Sequence, residues 1–464
     1  MKSVALHNLG CKVNGYELDV MGQMLQEKGF KIVPFDEDAD IYIINTCTVT
    51  NIADRKSRQM LHKAKKKNPD AVVVAVGCYV QTGREAVEKD PCIDLAVGNN
   101  RKKDLISILE EFLASKEECR GEETGEKTLH GTTVIDINHT DEYEEMTLEH
   151  TADHTRAYIK IQDGCNQFCS YCIIPYARGR IRSRRPEDVL AEVKGLAANG
   201  YREIVFTGIH ISSYGIDFEQ KQTGDYRSAK EEALRKNHFL NLIKAVHEVD
   251  GIERIRLGSL EPRIMTEEFV RELAGLSRLC PHFHLSLQSG SDTVLQRMNR
   301  HYSSGEYYEK VLLLRKYFSN PAITTDVITG FPQETEEEFE ETKAFLEKVH
   351  FYEMHIFKYS KRQGTVAASM PGQMTEREKA KRSAVLLEME KRHSKEYREQ
   401  FVGRECEVLF EETMEIQDES YMVGHSKRYL KVAVKAGEEL SNEIRTCRIS
   451  GFLTEDILLA ETIR

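Results

Sequence analysis

The sequence predicts a multidomain α/β protein: an amino-terminal parallel α/β domain, a partial (β/α)6 barrel and a small antiparallel β-barrel at the carboxy terminus. Three observations predict it. Strand and helix patterns alternate through the first 115 residues, which implies a parallel sheet. The same alternation returns in six further units, and after a charged helical stretch near residue 390 come short strands of period two. At 464 residues the chain is too long for one core, since domains usually hold roughly 100–200 residues.

In the segment 1–115, "SVALHNLGC" leads into the helical pattern "YELDVMGQMLQEKGF". "DIYIINTC", a helix over 51–68, "AVVVAVGC" and further helical segments follow. Three of these strands end on a cysteine, Cys11, Cys47 and Cys78. A parallel sheet brings such ends to one edge, where ligands of α/β proteins bind. Buried structural thiols are the alternative, because free cysteine is among the most buried residue types. The same relative position three times over favours a site.

Residues 116–152 are acidic, rich in Gly and Thr and mostly without period, so they read as a linker. On that reading His130, His139, His150 and His154 in and beside it are solvated side chains. The barrel then occupies 153–388. Its strands are "AYIKIQDGC", "EIVFTGIH", "RIRLGSLEP", "HFHLSLQSG", "AITTDVITG" and "EMHIFKYS". In barrels of this kind the working residues lie at the carboxyl ends of the strands. Those ends carry Cys165, Thr207, Gly208, Ser259, Glu261, Gln288, Ser289, Asp326 and Gly330. The last segment, 389–464, contains "RECEVLFEE", "YLKVAVKA" and "RTCRISGF" and is the expected terminal barrel.

Hydrophobic content of 40% with 30% charged residues is that of a soluble globular protein. No apolar run approaches the roughly 20 residues of a membrane span, and "MKSVALHNLGC" lacks a signal-peptide core. The expected location is cytoplasmic, with no membrane partner. In that reducing compartment the eleven cysteines are metal ligands or buried thiols and not disulfides.

The stretch "GCNQFCSYC" sets Cys165, Cys169 and Cys172 within eight residues. A [4Fe–4S] cluster that only carries electrons takes four thiolates. With three, one iron lacks a protein ligand and can bind a substrate, as the open position of a catalytic zinc does. Zinc itself is the rival, although its usual signature is paired C-x2-C elements. Cys92, Cys119, Cys280, Cys406 and Cys447 share no pattern and read as structural.

The C-x3-C-x2-C run, with Tyr171 before its last cysteine, resembles the signature of the radical SAM superfamily. Over essentially its full length the chain resembles one branch of it, the methylthiotransferases: an amino-terminal domain with three cysteines, a radical SAM barrel and a terminal TRAM-type RNA-binding barrel. The resemblance implies two [4Fe–4S] clusters. One is held by the catalytic Cys165, Cys169 and Cys172, where S-adenosylmethionine is cleaved to a 5′-deoxyadenosyl radical that takes hydrogen from C2 of an adenine. The other is held by Cys11 in "LGCKVN", Cys47 in "INTCTVT" and Cys78 in "VGCYVQ", and is associated with sulfur delivery. It implies two roles for S-adenosylmethionine, radical source and methyl donor, and an electron donor such as flavodoxin or ferredoxin. By position, Thr207, Gly208, Ser259, Glu261 and Gln288 are the residues that would surround S-adenosylmethionine.

The motifs "GCKVNGYELD" and "NTCTVTNIADRKSRQ" resemble the branch acting on N6-threonylcarbamoyladenosine beside the tRNA anticodon, at position 37. The sister branch acts on isopentenyladenosine and more often reads Gln-Met where this chain has Lys12-Val13. A third branch acts on an aspartate of a ribosomal protein. The net charge of -11 does not exclude RNA, because charge is unevenly distributed. The helix "NIADRKSRQMLHKAKKKNPD" is dense in Lys and Arg. In "RGRIRSRR" an extended backbone would put Arg178, Arg180, Arg182 and Arg184 on one face, suited to phosphates of the anticodon loop.

Overall fold

The computed structural model describes residues 2–120, 131–150, 155–437 and 439–463. Linker residues 121–130 and 151–152, His130, His154 and the side chain of Cys119 lie outside the described residues. The first strands are β1 (Ser3–Asn8), β2 (Lys31–Val33), β3 (Ile41–Thr46), β4 (Val72–Gly77), β5 (Leu95–Val97) and β6 (Gly131–Thr133). They form one sheet in the order β2-β1-β3-β4-β5-β6, parallel throughout. Every residue of β3 and β4 is buried, because helices cover both faces. Tyr16, Met21 and Leu25 of the helix Lys12–Glu27 pack on one face, and Leu61 and Ala64 of the helix Asn51–Lys67 on the other. The second helix is capped by Thr50, whose hydroxyl accepts the Ala53 N–H at 3.1 Å, and ends in Lys65, Lys66 and Lys67, which suit its negative dipole end.

Part of the segment expected as a linker belongs to this fold. β6 adds to the sheet, and beyond it the alternate residues Glu144, Met146 and Leu148 are buried. The pattern is period two, but its first member is a carboxylate that accepts the backbone N–H groups of Asn100, Lys102 and Lys103. A charged residue in an inward position hides the period from a hydrophobicity reading. His139 and His150 in the same segment are exposed.

Next come β7 (Arg156–Asp163), β8 (Arg182–Ser183), β9 (Glu203–Gly208), β10 (Arg254–Leu257), β11 (His282–His284), β12 (Ala322–Thr329) and β13 (Glu353–Lys358). All six expected strands are present, as β7, β9, β10, β11, β12 and β13. They run parallel in chain order, and between β10 and β11 the ladder thins to the bridges Ile255↔Leu279 and Leu260↔Leu285. β8 pairs antiparallel with β7. Ile159, Ile161, Ile204, Phe206, Ile255, Phe283, Leu285 and Val327 join one apolar core beneath the surrounding helices. Alternation turns their neighbours Tyr158, Lys160, Gln162, Thr207, Arg256, His284 and Asp326 into the lumen.

The helix Glu376–Glu399 lays Leu386 and Met389 on the barrel core and Tyr397 in that of the terminal domain, so the expected boundary at 388 falls inside it. Then β14 (Glu405–Ile416), β15 (Glu419–Ser426), β16 (Lys431–Lys435), β17 (Ile444–Phe452) and β18 (Leu458–Thr462) close a barrel in the order β14-β15-β16-β18-β17. Four pairs are antiparallel and β16–β18 is parallel. The terminal barrel packs against β10: Arg254 donates to the carbonyls of His425 on β15 (2.8 Å) and Glu407 on β14 (3.0 Å), and Arg256 lies 4.8 Å from the ring centre of Tyr429 in the β15–β16 turn. The helix Lys12–Glu27 packs against β7 and β9, and its Tyr16 donates to Glu192 at 3.0 Å. Among the described residues no helix is long and apolar enough to cross a membrane.

Candidate active site

β1, β3 and β4 are neighbours in the sheet, so their carboxyl ends deliver Cys11, Cys47 and Cys78 to one place. Cys11 caps the helix Lys12–Glu27, and Cys78 opens the short helix Cys78–Thr82. The loops are tightly fitted. Gly10 has φ 116°, and a Cβ there would sit 3.0 Å from the Cys47 Cβ and 3.1 Å from its Sγ. Asn14 ties the strand ends together by donating to the carbonyls of Leu9 (2.8 Å) and Thr46 (3.0 Å). Asn99 Nδ2 lies 3.5 Å from Cys78 Sγ. Burial pushes the Cys47 thiol up to about 11, with Cys78 and Cys11 adding to it, and burial raises Cys11 as well.

The second trio occupies the loop after β7. Gly164 opens it with φ 70°, and a Cβ would lie 1.8 Å from the Arg180 carbonyl oxygen. Cys165 N–H donates to the Gly179 carbonyl at 3.0 Å, and Cys172 N–H to that of Cys169 at 2.9 Å. Two donors point at sulfur: the Gln167 N–H at Cys165 Sγ (3.5 Å) and Arg300 Nη1 at Cys169 Sγ (3.2 Å). Burial pushes Cys165 up to about 12 and raises Cys172 too, the latter with help from Cys169 and Cys165.

Both trios fit a cluster held by three thiolates. The donors are sulfur only, N–H groups are aimed at sulfur in each, and burial keeps Cys11, Cys47, Cys165 and Cys172 neutral unless a metal supplies positive charge. The ten described cysteines are all free. The trios are also close neighbours. The helix Ile174–Arg178 runs on from Cys172, and Asn99, which contacts Cys78, donates to its Ala177 carbonyl at 2.7 Å.

Of the residues expected around S-adenosylmethionine, Thr207 and Gly208 end β9 beside the second trio's loop. Glu261 is buried, ion-pairs with Arg263 and faces His210 Nε2 at 3.8 Å. Arg263 in turn donates to Gln167 Oε1 at 3.2 Å, which fastens Glu261 to the cysteine loop. Gln288 takes φ 77°, and its backbone bridges to Asp326 and Ile328. Ser259 is exposed. Sequence reasoning missed Arg300, Arg263 and His210. The signal for the last two was their place on strand ends already singled out; Arg300 follows a helix and carries no such mark. His210 Nε2 is buried without a hydrogen bond, and burial pushes its pKa down to about 4, so the ring is neutral at pH 7.

The four arginines expected on one RNA-facing edge are separated by the fold. Arg178 ends a helix, Gly179 turns at φ 70°, and only Arg182 and Ser183 are extended, so the alternation that would align them is absent. Arg178, Arg182 and Arg184 are at most 1% exposed, while Arg180 is exposed with its guanidinium 4.6 Å from the Phe168 ring centre. Three of the four are internal braces. Arg178 donates to Glu17 Oε1 (2.7 Å), Glu17 Oε2 (3.0 Å) and Asn14 Oδ1 (2.7 Å), and approaches Asp163 at 3.2 Å. Lys102 and Lys160 also reach Glu17, at 2.8 and 3.0 Å. Burial alone would raise the Glu17 pKa, but Arg178, Lys102 and Lys160 hold it well below the usual range. Arg184 pairs with Glu192. A buried ionic cluster thus joins the helix Lys12–Glu27 and Lys102 of the first domain to β7, beside the first trio. From the other side Arg362, after β13, clamps Thr48 (2.7 Å), Asn51 (2.8 Å) and Asp54 (2.7 Å) in the segment following Cys47.

Comparison with known proteins agrees with this division. A profile of the radical SAM superfamily matches residues 159–346, which contain Cys165, Cys169 and Cys172. A second, described as uncharacterized protein family UPF0004, matches residues 3–98, which contain Cys11, Cys47 and Cys78. The chain is 38% identical to the threonylcarbamoyladenosine tRNA methylthiotransferase MtaB of Bacillus subtilis (strain 168), over 97% of this chain and 94% of that one. It is 34% identical to a tRNA-2-methylthio-N(6)-dimethylallyladenosine synthase of Moorella thermoacetica, over 88% of this chain and 87% of that one. Among solved structures, the radical S-adenosylmethionine methyltransferase TsrM of Kitasatospora setae matches with a TM-score of 0.48 at 15% identity, over 77% of this chain and 72% of that one.

Proposed function

The chain belongs to the radical SAM methylthiotransferase family, and from that premise we propose that it converts N6-threonylcarbamoyladenosine at tRNA position 37 to its 2-methylthio derivative in the cytoplasm. The observation that carries the reading is the pair of neighbouring cysteine trios, each with its own glycine-tightened loop, linked through Asn99 and the helix Ile174–Arg178. Replacing an unactivated C–H bond by C–S needs a radical generator and a sulfur source side by side. When bound, [4Fe–4S] clusters on Cys165, Cys169 and Cys172 and on Cys11, Cys47 and Cys78 supply, respectively, the one-electron cleavage of S-adenosylmethionine and the sulfur.

The protein's own residues do the rest. Arg300 and the Gln167 N–H donate to sulfurs of the second trio and Asn99 to one of the first, which stabilises negative charge there. Glu261, held as a carboxylate by Arg263, is placed to accept hydrogen bonds from the ammonium or ribose of S-adenosylmethionine. Thr207, Gly208, Ser259 and Gln288 complete the rim. S-Adenosylmethionine serves twice, as radical source and as methyl donor, and a protein such as flavodoxin or ferredoxin supplies the electron. The terminal barrel and the exposed Lys and Arg of the helix Asn51–Lys67 hold the anticodon stem-loop.

Mass spectrometry of nucleosides from total tRNA, with and without this gene, tests the reading. Loss of 2-methylthio-threonylcarbamoyladenosine with a rise of its precursor is the expected result. An unchanged level of that nucleoside, with loss of the isopentenyl derivative or of the methylthiolated ribosomal aspartate, would overturn the substrate.

A further inference from the structure

Within the barrel near the helix Lys12–Glu27, the cations Arg156, Arg256 and Lys160 are each answered by a carboxylate. Arg156 meets Glu411 at 3.1 Å, Arg256 meets Glu203 at 2.9 Å, and Lys160 meets Glu17 at 3.0 Å. Lys12 is the exception. Among the described residues its ammonium has no ion pair and no hydrogen bond, and lies 5.9 Å from the ring centre of Tyr158 with Arg156, Arg256 and Glu203 as charged neighbours. Its side chain is open to water, although barrel residues lie around it. Its place in the helix is also unfavourable. Lys12 is the first residue of Lys12–Glu27, whose first turn holds no acidic residue, and a cation there opposes the helix dipole. Like-charged arginines nearby add to that cost. Water solvates this ammonium in the free protein, and a bound anion would offset both the dipole and the like charges around it.

The substrate proposed above carries such an anion. The threonyl carboxylate hangs from N6 of the base, and C6 is separated from the reacting C2 by N1 alone, while Lys12 adjoins Cys11 of the sulfur-supplying trio. Taking a carboxylate out of water without a partner is costly, so the site that admits it must hold a cation. We infer that Lys12 receives the carboxylate of the threonylcarbamoyl group and thereby selects this base. The inference rests on the substrate reading above.

The test compares two synthetic anticodon stem-loops on the holoenzyme, one bearing N6-threonylcarbamoyladenosine and one in which the threonyl carboxylate is a carboxamide. Methylthiolation kcat/KM and, by fluorescence anisotropy, Kd are measured for each. Wild-type enzyme should favour the acid by about 10- to 100-fold, the worth of a charge-assisted hydrogen bond shielded from bulk water. Lys12→Gln should bring that ratio close to one, and Lys12→Arg should restore most of it. A wild-type ratio near one overturns the proposal, as does a Lys12→Gln enzyme that keeps the wild-type ratio. Iron and sulfide are assayed on each variant; if Lys12→Gln loses its clusters, the wild-type ratio and Lys12→Arg decide. Wild-type enzyme that modifies neither stem-loop but converts one carrying isopentenyladenosine refutes the substrate reading, and this inference with it.

Discussion

Arg178 and Arg180 are two residues apart, and the structure assigns them opposite fates. Arg178→Met removes a guanidinium with two bonds to Glu17, one to Asn14 and a close approach to Asp163, all in the interior. Lys102 and Lys160 still neutralise Glu17, but the Asn14 oxygen and part of the carboxylate charge lose their partner. Breaking a buried pair from one side costs about 3–5 kcal/mol. At roughly 2–4 °C per kcal/mol for a unit of this size, the melting temperature should fall by about 6–20 °C. Arg180→Met removes an exposed group and should leave melting within about 1 °C. RNA binding should show the reverse. A lost phosphate contact lowers the slope of log K against log salt by about 0.7–0.9, so Arg180→Met should lose that much slope and Arg178→Met none. Differential scanning calorimetry and salt titrations of tRNA binding measure the two effects. An Arg178→Met protein that melts like wild type and loses the slope would refute the assignment of Arg178 to the interior.

Three further outcomes follow from the same geometry. Cys169→Ala should abolish S-adenosylmethionine cleavage, whereas Cys47→Ala should retain cleavage and lose methylthiolation, each variant holding about half the wild-type iron; normal methylthiolation by Cys47→Ala would end the two-cluster assignment. Gly164→Ala should lose the iron of the second trio, since its Cβ would meet the Arg180 carbonyl oxygen at 1.8 Å, while Gly195→Ala, in the helix Pro186–Ala198 with open space around the new Cβ, should gain about 0.5–1 kcal/mol. Glu17, held well below its ordinary 4.5, contributes stability that is present above that value and lost as pH falls through the lower folded one, so the melting gap between wild type and Glu17→Gln should narrow on acidification; a gap that stays constant with pH would contradict the ionic role.

The placement of the six cysteines was legible in the sequence because it is written in local spacing. Cys165, Cys169 and Cys172 share one loop, and Cys11, Cys47 and Cys78 each end a strand whose apolar run marks it. The six barrel strands were visible for the same reason. What spacing conceals is any residue whose partner is distant in the chain. Glu17, Lys102, Lys160, Asp163 and Arg178 form one buried cluster, yet nothing near any of them announces it. Arg178, set among exposed-looking arginines, therefore reads as surface. The inward Glu144 likewise breaks the period that would have revealed its segment as part of the fold.

By itself, then, the sequence determined the order of elements, the two sets of three thiols and the parallel strand ends that present them, since these follow from periodicity and from the direction of a parallel sheet. Only the tertiary structure decided which charges are spent inside and which remain free. Burial makes an unpaired charge costly, so it draws Arg178, Arg182 and Arg184 onto partners inside, whereas Lys12, open to water, keeps an ammonium with no ion pair among the described residues.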